Sequence, residues 1–170
     1  AFAVLELCRL MMIRDGQSFD NVREKAAGMT VFTTHTPVPA GHDRFDAGLV
    51  HSILGPLCTA LGISDDAFMG LGRVNVHDAG EMFCMTVLGL KMSRYRNAVS
   101  DLHGRVSRAM WKGLWPNRAE HDVPIGFITN GVHGGTWMAA EMERLYHRCV
   151  GGHLAGTDHP DLWQAVEQID

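Results

Sequence analysis

Apolar positions recur along this chain mostly with helical spacing, interrupted by two short runs that read as strands. Residues 1–14 are apolar nearly all round, which predicts a buried helix stopped at Gly16. A short helix follows from Ser18 or Asp20 to Ala27, closed by Gly28, and then a strand over Met29–Thr33. Leu49, Val50, Ile53, Leu54, Leu57 and Leu61 recur at i, i+3, i+4 and i+7 between a capping Asp46 and Gly62, the pattern of an amphipathic helix. Ser64-Asp65-Asp66 caps a helical turn through Met69, and residues 70–80 form a glycine-, asparagine- and aspartate-rich loop.

From Phe83 to Met110, Leu88, Met92, Tyr95, Val99, Leu102, Val106 and Met110 recur at spacings of three and four. One long helix is the simplest reading, but Arg94-Tyr95-Arg96-Asn97 places polar bulk at its centre. The expectation is two helices with a break over Ser93–Asn97. The stretch from Trp115-Pro116 to Val123-Pro124 reads as a loop, and Pro124 leads into a second strand over Ile125–Thr129. Thr136 then caps a helix from Trp137 to about Cys149, stopped by Gly151-Gly152, and Asp158 caps a last helix through Leu162, Trp163 and Val166. The fold class is therefore α/β, mostly helical, with two short buried strands.

Composition narrows the function classes. The chain has 170 residues, 46% of them hydrophobic, and a formal charge of −4 with acidic and basic residues interspersed. No nucleic-acid or anionic-membrane partner is expected. Cys8, Cys58, Cys84 and Cys149 lie far apart in apolar segments, which reads as buried, reduced thiols in a cytoplasmic protein. The chain opens inside an apolar helix pattern with neither an initiator methionine nor a capping residue, as a piece of a longer protein would.

Both strand-like runs end in polar loops. Thr33-Thr34-His35-Thr36-Pro37-Val38-Pro39 leaves the first, with two prolines that cannot continue a sheet. Ile128-Thr129-Asn130-Gly131-Val132-His133 leaves the second. The carboxyl ends of strands in open α/β sheets are where ligands bind. On pattern alone, His35 reads as a hydrogen-bonded histidine at a strand end and Asn130-Gly131 as a tight turn. His35 with His42-Asp43 is the densest cluster of metal-ligand types, but no carboxylate completes a three-ligand set, so no metal is expected.

The residues carry a resemblance that extends this reading. Phe32-Thr33-Thr34-His35-Thr36-Pro37-Val38-Pro39-Ala40-Gly41-His42-Asp43-Arg44-Phe45 resembles the active-site loop of the α-glucan phosphorylases, especially their short bacterial branch. In the same order follow Leu71-Gly72-Arg73-Val74-Asn75, Phe83-Cys84-Met85-Thr86-Val87-Leu88, the block from Ser93 to Gly104, and Ile128-Thr129-Asn130-Gly131-Val132-His133 with Thr136-Trp137. The resemblance implies a two-domain Rossmann-like glycosyltransferase (GT-B) fold. Residues 1–135 would be the C-terminal part of the glucan-binding domain, and 136–170 a crossing segment toward a cofactor domain.

The implied reaction is phosphorolysis of a terminal α-1,4-linked glucosyl unit of a glucan or maltodextrin by inorganic phosphate, giving α-glucose 1-phosphate. Pyridoxal phosphate serves such enzymes, its phosphate acting as the acid/base group. By motif, His35 matches the histidine beside the glucosyl unit, whose carbonyl faces the developing positive charge. Asn130 matches a residue that binds glucose hydroxyls, and Asn97, Val99 and Thr36 match segments around the same crevice. Ala98 stands where the family usually has glycine, and Gly134-Gly135 replaces bulkier or basic residues. No segment resembles the lysine-bearing cofactor loop, so the chain by itself is expected to be inactive. Two other readings stay open: a non-catalytic glucan-binding relative with the same blocks, and a retaining glycosyltransferase that uses a nucleotide sugar and shares the fold but not these loops.

Overall fold

In a computed structural model that describes residues 2–150 and Gln164, the chain forms two compact units, Ala1–Thr129 and Asn130–Asp170. The first helix, α1 (Ala3–Asp15), ends on Gly16, whose φ of 63° is the left-handed conformation that glycine adopts without a Cβ penalty. Only one face of α1 is buried, through Val4, Leu5, Cys8 and Met11, while Leu10 and Ile13 are exposed. The expectation of burial all round therefore holds for half the helix. Helix α2 (Phe19–Gly28) packs on it, contributing Phe19, Val22 and Ala26.

Strand β1 (Val31–Thr34) leads through a 3-10 turn at Pro39–Gly41 into β2 (Arg44–Phe45). Asp46 caps α3 (Ala47–Leu61) by accepting from Leu49 N at 2.9 Å, and Gly62 closes it at φ 64°. Ser64 caps α4 (Asp65–Gly70) in the same way, accepting from Ala67 N. Both caps satisfy backbone donors that a helix start leaves unpaired. These helices close one core with α1 and α2 around Phe68 and Phe83, whose rings stack at 5.9 Å.

The region 83–110 departs from expectation. A short strand β3 (Phe83–Cys84) pairs antiparallel with β2 and runs into α5 (Met85–Lys91). The expected break is a strand, β4 (Tyr95–Ala98), and α6 (Asp101–Met110) follows it. β4 is the middle of a three-stranded parallel sheet of order β1-β4-β5, with β5 at Gly126–Phe127. Thr33 pairs with Asn97, Thr34 with Ala98, and Ala98 in turn with Phe127. Among the described residues five short strands thus replace the expected two, and they are not simply buried: Val31, Tyr95 and Phe127 are exposed. The polar look of β4 arises because Arg96 lays its stem along the protein, donates to Leu90 O and stacks over Trp115.

Helix α6 also turns a different face inward. Leu102, Val106 and Met110 are exposed, while His103, Gly104 and Ser107 are buried. The small residues permit close approach to the sheet: a Cβ on Gly104 would lie 3.4 Å from Phe127 Cβ. A similar approach occurs at α5, where a Cβ on Gly89 would sit 2.4 Å from the Phe32 ring of β1.

In the second unit, α7 (Gly134–Trp137) is a single turn and α8 (Ala140–Val150) is the longer helix. Thr136 lies inside α7 rather than capping α8, its hydroxyl 2.7 Å from His133 Nδ1. Cys149 is exposed, unlike Cys8, Cys58 and Cys84, which corrects the reading of four buried thiols. The expected Gly151-Gly152 stop and the last helix from Asp158 lie outside the described residues. Among the described residues, no helix is long and apolar enough to cross a membrane.

Candidate functional site

Parallel pairing brings the carboxyl ends of β1, β4 and β5 to one edge of the sheet. The register sets Thr34, Ala98 and Phe127 side by side, so His35, Val99 and Ile128 are the residues that leave it. Ile128 N donates to Ala98 O at 2.9 Å, extending the ladder by one bond. Thr34 is buried, Thr36 half-buried and His35 exposed.

A cavity of about 320 Å³ opens beside this edge, lined by Phe32, Thr33, Thr34, His35, Thr36, Gly41, His42, Asp43, Met85 and Thr86. Two of the expected residues, His35 and Thr36, stand in its wall. The loop between them and His42 is folded back on itself. Thr36 Oγ1 accepts from Val38 N, Gly41 N donates to Val38 O, and His42 N donates to Pro39 O. Gly41 is pressed against Thr36, where an added Cβ would come within 2.2 Å of Thr36 Cγ2. Pro37 and Pro39 restrict this segment further by fixing φ.

Asn97 and Val99 stand on the neighbouring strand end and are not in the cavity wall. Asn97 is tied to it through Thr33, whose hydroxyl donates to Asn97 Oδ1 at 3.0 Å. Val99 N points to His103 Nδ1 at 3.5 Å. Asn130 is exposed and is the first residue of the second unit.

Behind the loop lies a buried polar group that the sequence left without a role. His42 Nδ1 is 2.8 Å from the Thr86 hydroxyl, and the His42 ring meets Trp111 edge to face at 5.1 Å. His42, Thr86, His103 and Trp111 are all under a tenth exposed. Among the described residues, His42 Nε2, His103 Nε2 and Trp111 Nε1 are buried without a hydrogen-bond partner. Burial holds the His42 pKa below the ordinary histidine range. Arg44 and His103 push it the same way, and the backbone of Thr36 opposes them. His42 is therefore a neutral imidazole at neutral pH. The sequence signals for this cluster were His42 beside His35 among the metal-ligand types and Thr86 set between Met85 and Val87.

No group of three or more His, Cys, Asp or Glu residues among the described residues is placed to hold a metal ion. The lysines are committed elsewhere. Lys25 bonds Gln17, Lys91 donates to the Gly70 and Arg73 carbonyls, and Lys112 donates to the Trp115 and Pro116 carbonyls. None lines the cavity beside His35. These residues do not fit the anchoring of pyridoxal phosphate through a lysine.

Comparison with known proteins gives a consistent set of relatives. A maltodextrin phosphorylase of Thermococcus litoralis is 39% identical over 160 residues, covering 92% of this chain and 18% of that protein. A glycogen phosphorylase of Mycobacterium tuberculosis is 39% identical over 178 residues, covering 99% of this chain and 20% of its own length. A glycogen phosphorylase of Aquifex aeolicus is 31% identical over 159 residues, covering 93% and 22%. No family model matches. The chain spans about a fifth of the length of these curated relatives.

Proposed function

This chain belongs, over the stretch it spans, to the family of the glycogen and maltodextrin phosphorylases, and from that premise we propose that it supplies sugar-contacting loops of an α-1,4-glucan phosphorylase. The complete enzyme transfers the terminal glucosyl unit of a glucan or maltodextrin to inorganic phosphate, releasing α-glucose 1-phosphate and a shortened chain. The observation that carries this reading is the cavity at the carboxyl end of β1, with His35 and Thr36 in its wall.

A fixed backbone dipole suits an oxocarbenium-like transition state, because it stabilises developing positive charge without reorganising. In this reading the His35 carbonyl faces that charge while its imidazole bonds the 6-hydroxyl of the glucosyl unit, and Thr36, Asn97, Val99 and Asn130 contact the sugar. Residues 1–135 belong to the glucan-binding domain of a GT-B fold, and 136–170 cross toward the cofactor domain. In the complete enzyme pyridoxal phosphate would supply acid/base chemistry through its phosphate, and the lysines of this chain, engaged elsewhere, would not anchor it. The piece is inactive alone, and the parent is cytoplasmic.

The test is His35→Ala in the full-length parent. Interactions made mainly in the transition state appear in kcat, so phosphorolysis should slow far more than glucan binding weakens. Equal turnover by variant and parent refutes the assignment.

A further inference from the structure

The Thr34–Asp43 segment leaves the sheet at Thr34 and returns to α5, and its return is fastened at two points. Met85 N donates to Asp43 O at 3.0 Å, and the Thr86 hydroxyl meets His42 Nδ1 at 2.8 Å. The first is a backbone bond that any residue pair can make. The second depends on two particular side chains, both buried, at the only point where a side chain of α5 grips the loop by a hydrogen bond among the described residues.

What the grip holds is the wall of the candidate site. His42 follows Gly41, whose Cα lies so close to Thr36 that no side chain fits between them. Thr36 in turn follows His35. A displacement of His42 is therefore passed by contact through Gly41 to Thr36, and by the chain to the His35 carbonyl. The ring cannot easily drift, because Trp111 stands edge to face against it.

We propose that His42 is a positioning residue for the His35 loop, set by its hydrogen bond to Thr86. The proposal rests on the reading of His35 given above. Neither side chain touches the reacting atoms; the pair fixes where the His35 carbonyl stands. Displacing a catalytic group by about 1 Å costs up to roughly a hundredfold in rate. A lost bond one contact away should cost less.

The test uses the full-length parent enzyme. Thr86→Val removes the hydroxyl and keeps the shape, whereas Thr86→Ser keeps the hydroxyl. We expect Thr86→Val to lower kcat for phosphorolysis about tenfold with KM for glucan within about twofold, and Thr86→Ser to retain most of the parent's kcat. A His35→Ala background keeps the His35 carbonyl, so Thr86→Val should lower kcat there as well. His42→Asn, which keeps a polar atom near the Nδ1 position, should outperform His42→Leu, and this pair serves if Thr86→Val does not fold.

An unchanged kcat for Thr86→Val, in the parent or in the His35→Ala background, overturns the positioning role. So does a loss that appears only as a lowered melting temperature. If His35→Ala itself leaves kcat unchanged, the underlying reading of the site falls, and the positioning role falls with it.

Discussion

The hydroxyl of Thr33 donates to the carboxamide oxygen of Asn97 at 3.0 Å, joining two residues that face each other in the β1–β4 register. This bond orients Asn97 at the strand end where the sugar is proposed to lie. It also couples the two loops of the site through their strands.

Thr33→Val should leave the Asn97 oxygen without its partner. A half-buried acceptor deprived of a neutral hydrogen bond costs about 1 kcal/mol, and the freed carboxamide should bind substrate less well. The expected outcome in the parent enzyme is a lowered melting temperature together with a raised KM for glucan. Thr33→Ser should show neither effect, and calorimetry beside steady-state kinetics separates the cases.

Gly41→Ala tests the tight approach to Thr36. A methyl group there meets Thr36 Cγ2 at 2.2 Å, so Thr36 must leave its rotamer and give up the bond from Val38 N. Overpacking of this kind typically costs about 1–3 kcal/mol. Reduced kcat/KM with an unchanged far-ultraviolet circular dichroism spectrum is the expected result.

Histidine 42 should make stability depend on pH. Its folded pKa is depressed by burial first and by its electrostatic interactions with Arg44 and His103, so the unfolded chain binds the proton more readily. Stability from the neutral ring is fully present above the unfolded histidine pKa, about 6.5. It is lost as pH falls from there through the folded pKa. Melting temperatures should decline from pH 7 toward pH 5, and the decline should be shallower in His42→Asn.

Exposed apolar residues predict association of the isolated piece. Phe2, Phe45, Leu49, Val50, Ile53 and Leu54 line an apolar groove, and Leu102, Val106 and Met110 form a second exposed stripe on α6. Contiguous apolar patches of this sort promote self-association. Residues 1–170 expressed alone should elute from a sizing column as oligomers; a monodisperse, sharply melting monomer would contradict this.

The sequence made some of this visible and concealed the rest, for identifiable reasons. Asp46, Ser64, Gly16 and Gly62 mark helix ends by local chemistry, and the helices lie where those residues put them. The strand before His35 was legible too, because two prolines forbid its extension. Strand β4 was not, because Tyr95, Arg96 and Asn97 lack apolar alternation. Arg96 is half-buried there by its contacts with Leu90 and Trp115, which only the tertiary structure supplies. The inward face of α6 was misjudged for a related reason: the sheet demands small residues there, so Gly104 and Ser107 outrank Leu102 and Val106. The bond between His42 and Thr86 spans 44 positions and leaves no local trace.

Parallel pairing also sets a schedule for the growing chain. Thr33 and its partner Asn97 are 64 positions apart, and at about 5–20 residues per second a ribosome needs roughly 3–13 s to cover that distance. Through that interval α1 and α2 can fold on local contacts, but β1 has no neighbour to its ladder. The edge that carries His35 is thus among the last parts of this unit to form, with the unpaired strand open to wrong partners until Tyr95–Ala98 emerges.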